Sequence, residues 1–171
     1  MKNFHLNHYE KAFGNWLIDN CVQYIAVDEQ KRAALGRSKI KSFDYLIYPA
    51  NQPIIVAEVK GRKFKGTSFA KLTKLECWVT ADDITGLAMW QQIFGSTHTA
   101  AFIFVYLIEN IDVDLDGRDI YEFNGKRYIF FCVKLDDYCR SMTLRSPKWQ
   151  TVTLPAEKFR RSAVQMQKLL A

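Results

Sequence analysis

Three residues in one short stretch are chemically out of place. Asp44 sits in the apolar run 43–48, and Glu58 and Lys60 sit in the apolar run 54–60. Both runs read as strands, joined by Pro49-Ala-Asn-Gln-Pro53, a turn with proline at each end. Pairing Tyr48 with Ile54 across that turn sets Asp44 opposite Glu58, and Lys60, two residues on, shares the face of Glu58. Facing carboxylates repel unless positive charge lies between them. A divalent cation supplies that charge, and a neighbouring ammonium adds to it. Oxygen ligands without His or Cys favour Mg²⁺ or Mn²⁺ over zinc. An ammonium at Lys60 can orient or deprotonate a water, or stabilise charge developing on a phosphate. The alternative is a surface Asp with a solvated Glu58–Lys60 pair at a sheet edge.

The charge around these acids is lopsided. Eleven Lys and Arg fall between positions 31 and 74, where Asp44 and Glu58 are the only acids, so this segment carries +9 in a chain of net charge +6. Concentrated basic charge suits a polyanion such as nucleic acid. Two basic loops, 31–41 and 61–74, flank the acid pair. Arg37, Lys39, Lys41, Arg62, Lys63 and Lys65 are the expected phosphate contacts, with Phe64 and Phe69 available to stack on an unpaired base. A solvated charged surface is the competing explanation.

The elements that must position these residues can be read along the chain. Residues 8–20 carry Tyr9, Phe13, Trp16 and Leu17 at helical spacing behind Asn7, a suitable N-cap. Segment 22–27 reads as a strand. Thr80-Ala-Asp-Asp83 opens a helix as a capping box that Gly95 ends, and the acids there complement the helix N-terminus. Residues 100–108 form the most apolar strand, expected to be central. Strands 120–123 and 127–133 flank Asn124-Gly125, a hairpin signal. Segment 150–154 reads as a strand, and Pro155 as the first position of a C-terminal helix carrying Phe159, Val164 and Leu169. Trp78 and Trp90 read as core, His8 as structural, and His5 and His98 give no signal. This order describes one α/β domain over residues 1–171.

With 171 residues, 49% of them hydrophobic, the chain can bury a sizeable core and is not disordered. Its longest apolar run, 99–108, suits a buried strand and is too short for a membrane span. The first residues lack an apolar signal core, and Cys21, Cys77, Cys132 and Cys139 show no zinc spacing. Reduced, mostly buried thiols in a cytoplasmic protein are the expectation.

Asp44 followed by Glu58-Val59-Lys60 at the end of an apolar strand resembles the PD-(D/E)XK signature of the restriction-endonuclease-like nuclease superfamily. The resemblance implies an αβββαβ core, here followed by a C-terminal hairpin and helix, with a central mixed sheet flanked by helices. It implies that Asp44 and Glu58, helped by the carbonyl of Val59, bind Mg²⁺ and that Lys60 assists the attacking water. It also implies a Glu from the first helix, for which Glu10 is the candidate, and a polar residue from the second helix, for which Gln91 is the candidate. More narrowly, the chain is similar to a family of uncharacterised bacterial proteins, frequent in planctomycetes, with an N-terminal HYAxFE-like motif. The matching stretches are His8-Tyr9, Ser42-Phe43-Asp44, Val59-Lys60-Gly61-Arg62, Trp78-Val79-Thr80 with Asp82-Asp83, and Trp90-Gln91 with Phe94-Gly95. The acid of that motif directly follows the Phe, where this chain has Phe13-Gly14; Glu10 lies one turn earlier on a similar side.

The expected function is therefore metal-dependent hydrolysis of phosphodiester bonds, on DNA ahead of RNA. Nucleases that cut both strands often dimerise, so a homodimer is the assembly to test. A catalytically inactive nucleic-acid-binding module on the same fold is the alternative. A domain whose basic face meets an acidic protein is a third class.

Overall fold

Polar caps, β-branched runs and glycine punctuation divide the chain into short elements in the computed structural model, which describes residues 7–28, 34–35 and 38–171. The Asn7 side chain accepts the Glu10 amide at 2.9 Å and starts helix α1 (His8–Asp19). Strands β1 (Gln23–Ala26), β2 (Ala34–Leu35), β3 (Ser38–Lys39), β4 (Tyr45–Tyr48), β5 (Ile54–Lys63) and β6 (Val79–Thr80) follow. Helix α2 (Ala81–Phe94) opens on the Thr80–Asp83 capping box and stops at Gly95, whose φ of +76° a side chain would resist. Next come β7 (His98–Ile108), β8 (Tyr121–Phe123), β9 (Lys126–Lys134), α3 (Leu135–Ser141), β10 (Thr143–Ser146) and β11 (Thr151–Thr153). The chain finishes with α4 (Ala156–Ser162), β12 (Val164–Gln165) and α5 (Met166–Leu169).

Among the described residues, seven strands make the main sheet, in the order β1-β4-β5-β7-β9-β12 with β8 beside β9. Of these described strands only β5 and β7 run parallel, so the sheet is mixed. As expected, β7 is central, with nine successive residues from Ala100 to Ile108 buried. Its side chains alternate between two cores. Ile103 and Val105 face α1 through Phe13, Trp16 and Leu17, whereas Phe102 and Phe104 face Leu87, Tyr138 and Phe159 of α2, α3 and α4. The same alternation on β5 sends Ala57 and Val59 toward α1 and leaves Glu58 and Lys60 on the α2 side.

The structure departs from the sequence reading in several places, beginning with the short strands β2, β3 and β6 that it did not expect. β5 does not end at Lys60 but runs to Lys63, because β7 offers backbone partners as far as Leu107. Helix α3 and strand β10 occupy a stretch too short for periodicity to reveal. The expected single C-terminal helix is interrupted: Val164 and Gln165 pair with Cys132 and Phe131 and so cover the outer edge of β9. Pro155 stands at the N-cap of α4 rather than inside it. No helix of the described residues is long and apolar enough to cross a membrane.

Two of the four cysteines are exposed, Cys21 and Cys139, where mostly buried thiols were expected; Cys77 and Cys132 are buried. Burial raises the Cys77 thiol and pushes Cys132 up to about 12. A thiol reagent at pH 8 is expected to titrate Cys21 and Cys139 in the native protein, and the other two only after unfolding. Gly61 lies against the ring of Tyr9, so a Cβ there would overlap it. Gly61→Ala should cost about 1–3 kcal/mol of stability by overpacking the α1–β5 contact, measured by urea unfolding.

Candidate functional site

The turn sets the expected register. Tyr45, Leu46 and Ile47 pair with Ala57, Val56 and Ile55, the alignment that also puts Tyr48 opposite Ile54. The ladder stops one residue before the acids would meet as a strand pair. The Asp44 amide turns to the Ala57 carbonyl at 2.9 Å, and its carboxylate Oδ2 accepts the Val59 amide at 2.6 Å. A charge-assisted hydrogen bond thus replaces a main-chain one at this edge. A strand residue's amide and carbonyl leave on the same side, so the Val59 carbonyl also heads toward β4.

Glu58 and Asp83 share two ammonium groups. Lys60 Nζ lies 2.8 Å from Asp83 Oδ2 and 3.6 Å from Glu58 Oε1; Lys41 Nζ is paired with Asp83 Oδ1 and stands 3.8 Å from Glu58 Oε1. Asp83 therefore takes the direct hydrogen bonds, and Glu58 experiences both lysines as charges slightly beyond hydrogen-bond reach. All three acids are buried, Asp44 at 4%, Glu58 at 8% and Asp83 at 2% exposure. Desolvation lowers the pKa of Lys60, Lys41 and Arg62 push the same way, and Glu58 and Asp44 oppose them.

These oxygens are of the kind a hard divalent cation accepts: the Asp44 and Glu58 carboxylates and the Val59 carbonyl. Among the described residues no group of three or more His, Cys, Asp or Glu is arranged to hold a metal. A cation here would keep several waters, as Mg²⁺ commonly does.

The remaining expected residues are distributed differently. Glu10 is buried in the first turn of α1, where Asn7 Nδ2 donates to its Oε1 at 3.2 Å. Its carbonyl accepts the Tyr45 hydroxyl at 2.9 Å, which ties α1 to the residue after Asp44. The same hydroxyl would lie 2.9 Å from a Cβ at Gly14, so any side chain at that position would meet Tyr45. Gln91 is away from the cluster, eight residues or about 12 Å of helix from Asp83. Its amide donates to the Gly95 and His98 carbonyls at 3.2 and 2.7 Å and accepts the Ala100 amide at 2.6 Å, a structural splice between α2 and β7.

Of the basic residues, Arg37 lies outside the described residues, and Lys39 is in β3. Lys41 belongs to the acid cluster. Arg62 is spent internally: its guanidinium lies 4.0 Å over Trp78 and donates to the Gly61 and Trp78 carbonyls at 2.8 and 2.7 Å. Lys63 and Lys65 are exposed, paired with Glu109 at 3.3 Å and Glu76 at 3.7 Å. Phe64 and Phe69 are core residues stacked on each other at 4.2 Å, not platforms for a base. His8 is structural, its Nδ1 3.0 Å from the Tyr128 hydroxyl.

The sequence reading missed the second role of Asp83. Its carboxylate receives the Thr80 amide at 2.9 Å as a cap and also holds Lys60 and Lys41. The capping-box pattern located the residue, but only the packing of α2 on β5 brings it to the lysines. Lys41 is set by its backbone, whose carbonyl accepts Trp90 Nε1 at 2.8 Å.

The fold has a solved counterpart. It is similar to Hjc, a Holliday junction resolvase from the archaeal hyperthermophile Archaeoglobus fulgidus, over 95% of this chain and 98% of that one, with a TM-score of 0.51 and 14% identity. No family model and no curated protein matches the chain. The mixed sheet flanked by helices is thus the restriction-endonuclease-like architecture that the sequence resemblance implied.

Asp83→Ala removes the cap and leaves the half-buried Lys60 without its nearest carboxylate, and should cost about 2–4 kcal/mol. Asp83→Asn, which retains the cap acceptor, should lose less. Chemical denaturation of the two variants measures the difference.

Proposed function

We propose that this chain is a metal-dependent nuclease that hydrolyses phosphodiester bonds, with DNA as its substrate in preference to RNA. The observation that carries the reading is the grouping of buried Asp44 and Glu58 with half-buried Lys60 about Val59, inside a segment whose other charged residues are all basic. Asp44, Glu58 and the Val59 carbonyl would hold Mg²⁺ or Mn²⁺. When bound, the cation offsets charge on the scissile phosphate and lowers the pKa of coordinated water. Lys60 Nζ, fixed by Asp83, offers N–H donors to a water or phosphate oxygen, and its lowered pKa eases proton exchange at that nitrogen. Lys63 and Lys65 supply backbone-phosphate contacts that any sequence would satisfy. Fold likeness to a Holliday junction resolvase supports DNA as the partner. A cytoplasmic location, a homodimer for double-strand cutting and kinship with the HYAxFE-motif proteins belong to the same reading.

A non-catalytic nucleic-acid-binding module on the same fold is the second reading. It is favoured by the engagement of Glu10 with Asn7 and by the Tyr45 hydroxyl beside Gly14, which leave the first-helix acid of the superfamily without a clear equivalent.

Purified protein with Mg²⁺ or Mn²⁺ is expected to degrade DNA, to stop on chelation, and to lose roughly 10²-fold or more in rate on Asp44→Ala or Lys60→Ala with folding intact. Cleavage that survives both substitutions would remove this site. Salt-sensitive binding with no cleavage in either metal would identify the binding module instead.

A further inference from the structure

A second basic surface lies on the β10–β11 hairpin, outside the 31–74 segment. Between Tyr138 and Ala156 the chain carries Arg140, Arg145 and Lys148 and no acid. At the tip of this hairpin Trp149 is 68% exposed. Its position is held by a tight turn. The Trp149 amide donates to Ser146 Oγ at 3.3 Å, the Gln150 amide donates to the Pro147 carbonyl at 3.3 Å, and Lys148 Nζ sits 5.2 Å from the indole centroid. An indole held in water forgoes a large burial gain, which makes it a candidate contact surface.

The hairpin is joined to the acid cluster by backbone and by charge. Thr151 and Val152 of β11 pair with Thr80 and Val79 of β6, and the Ala81 amide donates to the Gln150 carbonyl at 2.8 Å. Thr80 caps the helix whose Asp83 holds Lys60. Arg62, on β5 two residues beyond Lys60, lies over Trp78 at 4.0 Å, and Arg145 from β10 reaches the same ring at 4.9 Å. Cations therefore continue from Lys60 through Arg62 and Arg145 to Lys148.

We propose that Trp149 is a base-stacking platform for a single-stranded segment whose phosphates follow Arg145 and Lys148. Bases inside a duplex are already stacked on both faces, so an exposed indole is matched by a base that lacks a pairing partner. A second copy of this chain is a poor occupant, because a two-fold contact would set this basic hairpin against itself. The inference rests on the nucleic-acid reading above and adds a substrate class to it: strands with unpaired bases near the cut.

The test measures binding in EDTA, where cleavage does not enter. Fluorescence anisotropy with a labelled single-stranded oligonucleotide and a blunt duplex of equal length compares the protein with Trp149→Ala and Trp149→Phe. The expected result is about a tenfold loss on the single strand for Trp149→Ala, a much smaller change on the duplex, and substantial recovery in Trp149→Phe, which retains an aromatic face. The exposure of Trp149 leaves the core of both variants intact. Equal losses on both probes, or no loss on the single strand, would overturn the inference. The nuclease reading is judged separately, by Mn²⁺-dependent cleavage of the same oligonucleotides: single-strand preference without cleavage supports the platform and removes the nuclease.

Discussion

A lysine ammonium partly buried within an apolar strand keeps its charge most readily where a carboxylate reaches it. For Lys60 the nearest carboxylate is that of Asp83, at the start of a different element. That contact ties α2 to the face of β5 on which strand alternation already places Glu58. Because Asp83 also accepts the Thr80 amide, the helix cannot shift without disturbing both its own cap and the ion pairs. Lys41 joins the same carboxylate from the segment leading into β4, so three separate stretches of chain meet at one buried acid.

The opposite face of the sheet is adjusted to match. Tyr9 of α1 lies on Gly61, where a side chain would not fit, and the Tyr45 hydroxyl reaches the Glu10 carbonyl beside Gly14. Both glycines permit close approach of α1 to strands that carry the acids on their other side or at their end. The site is thus bracketed by two helix layers packed on rigid strands, a suitable support for groups whose spacing matters.

Much of this was legible along the chain. The Pro-bounded turn set the β4–β5 register, the Asn7 and Thr80 caps set two helix starts, and the Asn124-Gly125 pair set a hairpin with both residues at positive φ. Local rules sufficed there because each feature depends on neighbours within a few residues. The same rules failed where a distant partner decided the outcome. Arg62 and Phe64 read as loop residues able to meet nucleic acid, yet continued pairing with β7 and packing against Trp78 and Phe69 draw them inward. Gln91 had the right type for a site residue, but the end of α2 offered its amide one backbone partner and the start of β7 two more.

By itself the sequence determined that two acids and a lysine stand on or directly beside neighbouring strands within a basic segment, because strand periodicity and a short turn leave few alternatives. The tertiary structure decided which charges those groups meet. Asp83 and Lys41 enter the cluster from positions 42 residues apart in the chain, and the Gln150 carbonyl next to Trp149 accepts the amide of Ala81 at the start of α2, far earlier in the chain. Such juxtapositions follow from how layers pack, and no local pattern encodes them.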